Sequence, residues 1–522
     1  MNNLFLALTL CLSLLMACKS DPYKNLPDFK YPVHIHFDPS LQPFYHGVAS
    51  GDPLADRVII WTRVTPEKEI PAIIVLWQIA TDENFDQSVK SGYVETSPEM
   101  DYTVKVDVGG LRPGVTYYYR FSAFDTFSPV GRTKTLDPNG SDSLKFAVIS
   151  CSNWQWGYFN VYAKIAERPL LDAVLHLGDY IYEYAIDGYG DTTLGRFHLP
   201  EHEIITLNDY RTRYSQYRTD PDLMAAHQMH PFITIWDDHE VANDNYTSGA
   251  QNHQPETEGP YEERMKAAMQ AYYEWMPMRL PEDRFLYRSF SFGNLVDLFM
   301  LDGRLEGRDE QVKSVEDPRF ENDDRTMLGE EQLEWLLTSL ENSSAQWKLI
   351  GNQVIFSGLD MSPAFPQRPI NLDSWDGYPA EQQKIMEFIK AKNIENVIIL
   401  TGDTHCSWAF ETVPDSDMKN YSKTGKGSIA VEIGTPSINS SNYDEYASMD
   451  TVNMALQGYL NPKVNPHLKF ANLSDHGYVI LTVAREFARS DWYFVETVKV
   501  PNLNERLAQT FSVYSGKPVL QK

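Results

Sequence analysis

Apolar positions fall into two textures along this chain. From about residue 44 to 137 they come in short runs rich in β-branched residues, such as "DRVIIWTRV" and "AIIVLWQIA". "YTVKVDVGGLRPGVTYYYRFSAF" alternates, turns at Gly109-Gly110 and runs on from Tyr117 to Phe121. Short strands punctuated by Gly and Pro predict a β-sandwich. From Leu144 onward, strand-like runs alternate with helical stretches such as "YFNVYAKIAERPL", "EERMKAAMQAYYEWM" and "EEQLEWLLTSLEN". That alternation is α/β order. The loops 241–262 and 306–326 are long and polar, placed to rim a site.

Five apolar runs of the second region end in residue types that bind metals. "KFAVIS" ends at Cys151, and "AVLHLG" ends at Asp179 with Tyr182 beyond it. "PFITIW" ends at Asp237-Asp238-His239-Glu240, "WKLIG" runs into Asn352, and "NVIILTG" ends at Asp403-Thr404-His405. Singly, each has an ordinary reading: a buried small thiol, a turn, a satisfied core histidine. In open α/β sheets, however, ligands bind beyond the carboxyl ends of the strands. Five such ends in one region predict a shared site.

The N-terminus adds an address. Leu4 to Ala17 is an apolar run too short for a permanent membrane span. It ends in Leu15-Met16-Ala17-Cys18, which resembles the lipobox of bacterial lipoproteins. That resemblance implies a signal over 1–17, lipidation of Cys18, and export to a bacterial membrane facing periplasm or outside. Residues 18–43 read as a polar, Pro-containing tether. His34 and His36 have no partner cluster nearby and read as surface residues. Of the four cysteines, Cys11 leaves with the signal, and Cys151 and Cys406 are expected to stay unpaired.

The formal net charge of -27 argues against nucleic acid or anionic membrane surfaces as partners. An anionic substrate would have to be drawn by bound cations. Hydrophobic residues at 42% are enough for a substantial core.

The order of the stretches carries a stronger signal. "HGVASGDPLADRVIIWTRV", "SCSNWQWGYFNVY", "LHLGDYIYE", "DYRTRYSQYRTDPDLMAAHQMHPFITIWDDHEVANDNY", "LDGR", "MLGEEQLEWL", "WKLIGNQVIFS", "GDTHCSW" and "VEIGTPS" resemble the PhoD-type alkaline phosphatases, within the calcineurin-like metallophosphatases. The resemblance covers about residues 44 to 500. It implies a four-layer α/β/β/α metallophosphatase sandwich over 144–500, behind a small fibronectin type III-like β-sandwich over 44–137, with 501–522 left as a tail. Many members of that family carry a twin-arginine signal, whereas this chain has no arginine pair there.

Carried over residue by residue, the resemblance makes Asp179 a bridge between two metals. Cys151, Tyr182 and His405 complete one site, and Asp238, Asn352 and Asp403 the other. Thiolate, phenolate and imidazole suit Fe(3+). An all-oxygen site suits Ca(2+). Two Zn(2+) or two Mn(2+) are the alternative. His239 is then the catalytic acid, oriented by Asp237 or Glu240, and Asn153 and Arg304 are candidate phosphate contacts. The implied activity is hydrolysis of phosphate monoesters or diesters by a metal-activated hydroxide, in a monomer. Two alternatives stay open: a phospholipase-like or cell-envelope phosphodiesterase, and a non-catalytic ligand-binding surface lipoprotein.

Overall fold

Three sheets take up the apolar runs in a computed structural model that describes residues 23–169, 171–280 and 286–522: two large ones that stack on each other, and a five-stranded one in the N-terminal region with its own core. The signal segment and Cys18 lie outside the described residues. Among the described residues no helix is long and apolar enough to cross a membrane.

The larger sheet has ten strands. At its centre Ser143–Ile149, Ala173–His176 and Pro231–Thr234 run parallel. The second sheet has seven strands, with Val296–Met300, Trp347–Gly351, Val397–Thr401 and Ala430–Gly434 parallel at its centre. These central strands read as unbroken apolar runs because both of their faces are covered. In the second sheet Leu298, Leu349, Ile398 and Leu400 join the core shared with the larger sheet. Phe299, Ile350, Val397 and Ile399 point the other way, into a core with Leu333, Leu336 and Leu340 of helix Gly329–Asn342 and Ile385 of helix Pro379–Ala391. Helices Asn160–Ala166, Leu207–Tyr217 and Tyr261–Trp275 cover the larger sheet through Val161, Tyr210 and Ala268. This is the expected α/β/β/α sandwich.

Three expectations about the chain's organisation change. Strand Val48–Gly51 pairs in parallel with Pro231–Thr234, so the larger sheet continues into Arg57–Arg63 and Thr103–Gly109 of the N-terminal region. Ala49 and Trp61 accordingly belong to the core of the larger sheet, and Trp61 Nε1 donates to Glu274 O. Residues read as a tether are docked from Tyr23 onward. Tyr23, Leu26 and Phe29 pack on the N-terminal core, Val33 is fully buried, and Phe29 N donates to Glu67 O. Their apolar side chains outweigh the Pro and polar content that suggested a tether. The expected C-terminal tail instead forms strands Glu505–Tyr514 and Lys517–Gln521, which extend the larger sheet beyond Phe487–Val495. Phe511, Val513 and Leu520 bury themselves there at spacings a strand puts on one face.

Candidate metal centre

The polar residues stand at the carboxyl ends of the central strands, and the backbone there is unusual. Cys151, Asp179, Asp403 and His405 have φ of 62°, 56°, 61° and 63°. Left-handed backbone at a non-glycine residue costs roughly 1–3 kcal/mol and persists where the surroundings impose it, commonly at functional sites. The turn before Asp179 is made by Gly178, at φ 110°. A Cβ on Gly178 would lie 2.3 Å from Asp237 Cβ, so this close passage of two strand-end loops requires glycine.

Three overlapping clusters result. Donor atoms of Cys151, Asp179 and His405 lie within 4.8 Å of one another, as do those of Asp179, Asp238 and His239, and those of Asp237, Asp238 and Asp403. Tyr182 joins the first: its Oη donates to Asp179 Oδ2 at 3.0 Å and stands 3.1 Å from His405 Nε2. His405 Nδ1 lies 2.7 Å from Ser441 O, which assigns the proton to Nδ1 and leaves the Nε2 lone pair facing the cluster. Asp179 belongs to two clusters, where a bridging residue would stand. Asn352 is buried just past the end of strand Trp347–Gly351, where its N–H donates to Leu400 O of the neighbouring strand, and it belongs to none of the three clusters. Its Oδ1 accepts from Trp375 Nε1 at 3.0 Å and its Nδ2 donates to Val354 O, so the oxygen keeps one lone pair.

The donor set fits cations. Asp179 Oδ1, Asp237 Oδ2 and Asp238 Oδ1 are buried with no hydrogen-bond partner. Burial and the neighbouring Asp237 and Asp238 push Asp179 well above the carboxylate range. Burial, with Asp179 close by, pushes the Cys151 thiol and Tyr182 phenol up in the same way. Burial holds Asp237 up at about 6, with Arg304 opposing and Asp238 assisting. Buried carboxylates at such density need positive charge among them.

His239 is fixed from behind by Glu183, not by Asp237 or Glu240 as expected. Its Nδ1 sits 2.7 Å from Glu183 Oε2. Glu183 is fully buried and its other oxygen accepts from Asn243 N and Asn252 Nδ2. Glu240 instead accepts from the backbone N–H groups of Asp179, Tyr180 and Asp237, tying two strand ends together. Asp237 accepts from Arg304 Nε. Burial disfavours a charged His239, yet Asp238, Glu183 and Asp179 outweigh it and hold its pKa well above the usual histidine range.

Arg304 also departs from its expected role. Besides Asp237, it forks onto both oxygens of Asp373 at 3.0 and 2.8 Å and reaches Asp403 at 3.2 Å. With every donor engaged and no exposure, it is a countercharge among carboxylates rather than a free phosphate contact. Asn153 Oδ1 caps Gln155 N, and its buried Nδ2 is left without a partner. Glu183 and Asp373 had no place in the sequence reading. Glu183 closes the "GDYIYE" stretch, four residues past Asp179, and that proximity was the available signal. Asp373 lies in the polar "NLDSWDG" and carries none.

Cys151 and Cys406 are both buried and free.

A family model described as PhoD-like phosphatase matches residues 146–492, and one described as its N-terminal domain matches residues 32–137. Alkaline phosphatase D of Bacillus subtilis strain 168 is 39% identical over 483 residues, which is 88% of this chain and 79% of that protein. A solved structure titled "Structure of PhoD" superposes with a TM-score of 0.82 at 37% identity, covering 93% of this chain and 92% of that one.

Proposed function

The chain belongs to the PhoD-like phosphatase family and is a phosphoric ester hydrolase, and we propose that it works through two unlike cations held at the strand ends. The observation that carries this reading is the difference between the donor sets on either side of Asp179. Cys151, Tyr182, His405 and Asp179 would hold Fe(3+), because sulfur, phenolate and imidazole donors favour a transition metal. Asp179, Asp238, Asn352 and Asp403 would hold Ca(2+), because every donor is oxygen. Two Zn(2+) or Mn(2+) remain the competing occupancy. Bound there, such a pair supplies Lewis-acid charge for a phosphoryl group and lowers the pKa of water.

The chain's own residues do the rest. Glu183, 2.7 Å from Nδ1, favours the protonated ring of His239, and Nε2 is the ring nitrogen it leaves free. His239 donates a proton from there to the leaving oxygen. Glu183 fixes the ring's orientation. Asn153 Nδ2 offers a hydrogen bond to a phosphoryl oxygen. Arg304 and Glu240 keep the carboxylates and backbone in register. Export with a lipid on Cys18 is part of the same proposal, and Cys18→Ser should release the protein from membranes.

Elemental analysis of parent and mutants tests the metal assignment. Tyr182→Phe should lose iron and any tyrosinate-to-iron colour while calcium stays, and Asp179→Ala should empty both sites. Two zinc ions in active, unsupplemented protein, with no calcium dependence, would overturn the Fe–Ca pair.

A further inference from the structure

We propose that the outer face of the N-terminal five-stranded sheet is the surface on which this protein rests against a lipid bilayer. The proposal rests on the lipidation of Cys18 and adds an orientation to it.

In this sheet strand Ser88–Thr96 lies beside Ile73–Ala80, which lies beside Thr116–Ala123, followed by Thr126–Phe127. Its inner face is dry: Val75, Ile79, Tyr117, Tyr119 and Phe121 form the N-terminal core. The outer face of such a sheet is ordinarily polar. Here the register sets Tyr93 opposite Leu76, Leu76 opposite Ser122, and Ser122 opposite Phe127, so these four residues share the outer side. Ile74 lies two residues from Leu76 on that side, and Phe124 stands in the turn after the third strand. Tyr93 is 75% exposed, Ile74 57%, Phe127 52% and Phe124 45%. A cluster of this kind marks an interaction surface rather than scattered exposure. Arg120 lies 4.1 Å over the Phe127 ring, while Glu95 stands opposite Ile74 and Asp125 is exposed beside Phe124, so the aromatic face carries charges of both signs, as a zwitterionic headgroup surface accepts.

The occupant follows from where the chain enters. Tyr23 lines the same groove of about 430 Å³ as Phe124 and Thr126, so the N-terminal segment meets the described structure at the edge of the patch. Residues 23–43 are docked and leave no slack. Five residues from Cys18 to Tyr23 span at most about 18 Å. A lipid on Cys18 thus holds this domain one short reach from the headgroups, Phe124 side first. Aromatic rings suit that interface, and a second apolar contact converts a lipid tether into stable seating.

The test uses the full lipidated chain in phosphatidylcholine vesicles that carry nitroxide-labelled acyl chains. Cys151 and Cys406 are buried, so Phe127→Cys supplies a single reactive thiol for an environment-sensitive dye. Leu507→Cys, 54% exposed at the opposite end of the larger sheet, is the control. The dye at 127 should shift to the blue and lose most of its emission to the lipid quencher, while the dye at 507 does neither. Equal response at both positions, or none at 127 in vesicle-bound protein, overturns the proposal. A response at 127 that follows protein concentration in detergent would assign the face to a second copy and overturn it too. Failure of the lipid reading is read separately, by Cys18→Ser protein that stays on membranes. Phosphatase activity of the labelled chains reports that each is folded.

Discussion

Glu183 decides what His239 can do. A carboxylate 2.7 Å from Nδ1 fixes both the ring and its tautomer. His239→Ala should lower turnover about 10²–10⁴-fold, with metal content measured alongside and unchanged. Glu183→Gln should cost about 10–100-fold in kcat. It should also move the alkaline limb of the pH–rate profile to lower pH, since the ring loses a negative neighbour that raised its pKa. An unmoved limb would make Glu183 a packing residue only. His176 gives a second handle, on stability. Burial pushes it down to about 3 from 6.5. As pH falls below 6.5 the unfolded chain takes up the proton and the folded one does not, so stability is full above 6.5 and drains towards 3. His176→Gln should flatten the pH dependence of unfolding in that window by up to about 1.4 kcal/mol per pH unit, as urea titrations at several pH values would read.

At the scale of elements, the site is a set of strand ends forced close together. Left-handed backbone at Cys151, Asp179, Asp403 and His405 turns side chains into the crevice. Gly178 lets the loop before Asp179 pass against Asp237. Gly178→Ala should therefore destabilise the fold by about 1–3 kcal/mol and reduce the content of both metals together, measured by urea unfolding and elemental analysis. Loss of one metal alone would show that the loop passage serves a single site. The five strand ends were legible in advance because each apolar run stops at a polar residue. Glu183 offered only its closeness to Asp179, and Asp373 offered nothing, because their roles come through partners distant in the chain: His239, Arg304 and Arg308.

The larger sheet runs through both regions of the molecule, so the N-terminal and α/β parts are joined rather than strung in series. Val48–Gly51 pairs with Pro231–Thr234, and Trp61 lies in the core of the larger sheet. Trp275 also donates to Asp101 of the N-terminal region at 3.2 Å, and Asp101 holds Arg63 at 2.8 Å. Calorimetry should accordingly show a single cooperative transition for both parts. A separate early transition confined to the N-terminal region would contradict this coupling.

Local pattern determined a good deal of this protein. Strand and helix periodicities, the break between the all-β and α/β textures, and the polar stops of the central strands all depend on neighbours in sequence, where period and spacing are visible. Their order sufficed for the family. Tertiary structure alone decided the continuity of the sheet across the two regions, the docking of residues 23–43, the strands at the C-terminus, and the pairing of His239 with Glu183. Each depends on which segments meet across long separations, and strand pairing or a buried ion pair leaves no periodic trace in either partner taken alone.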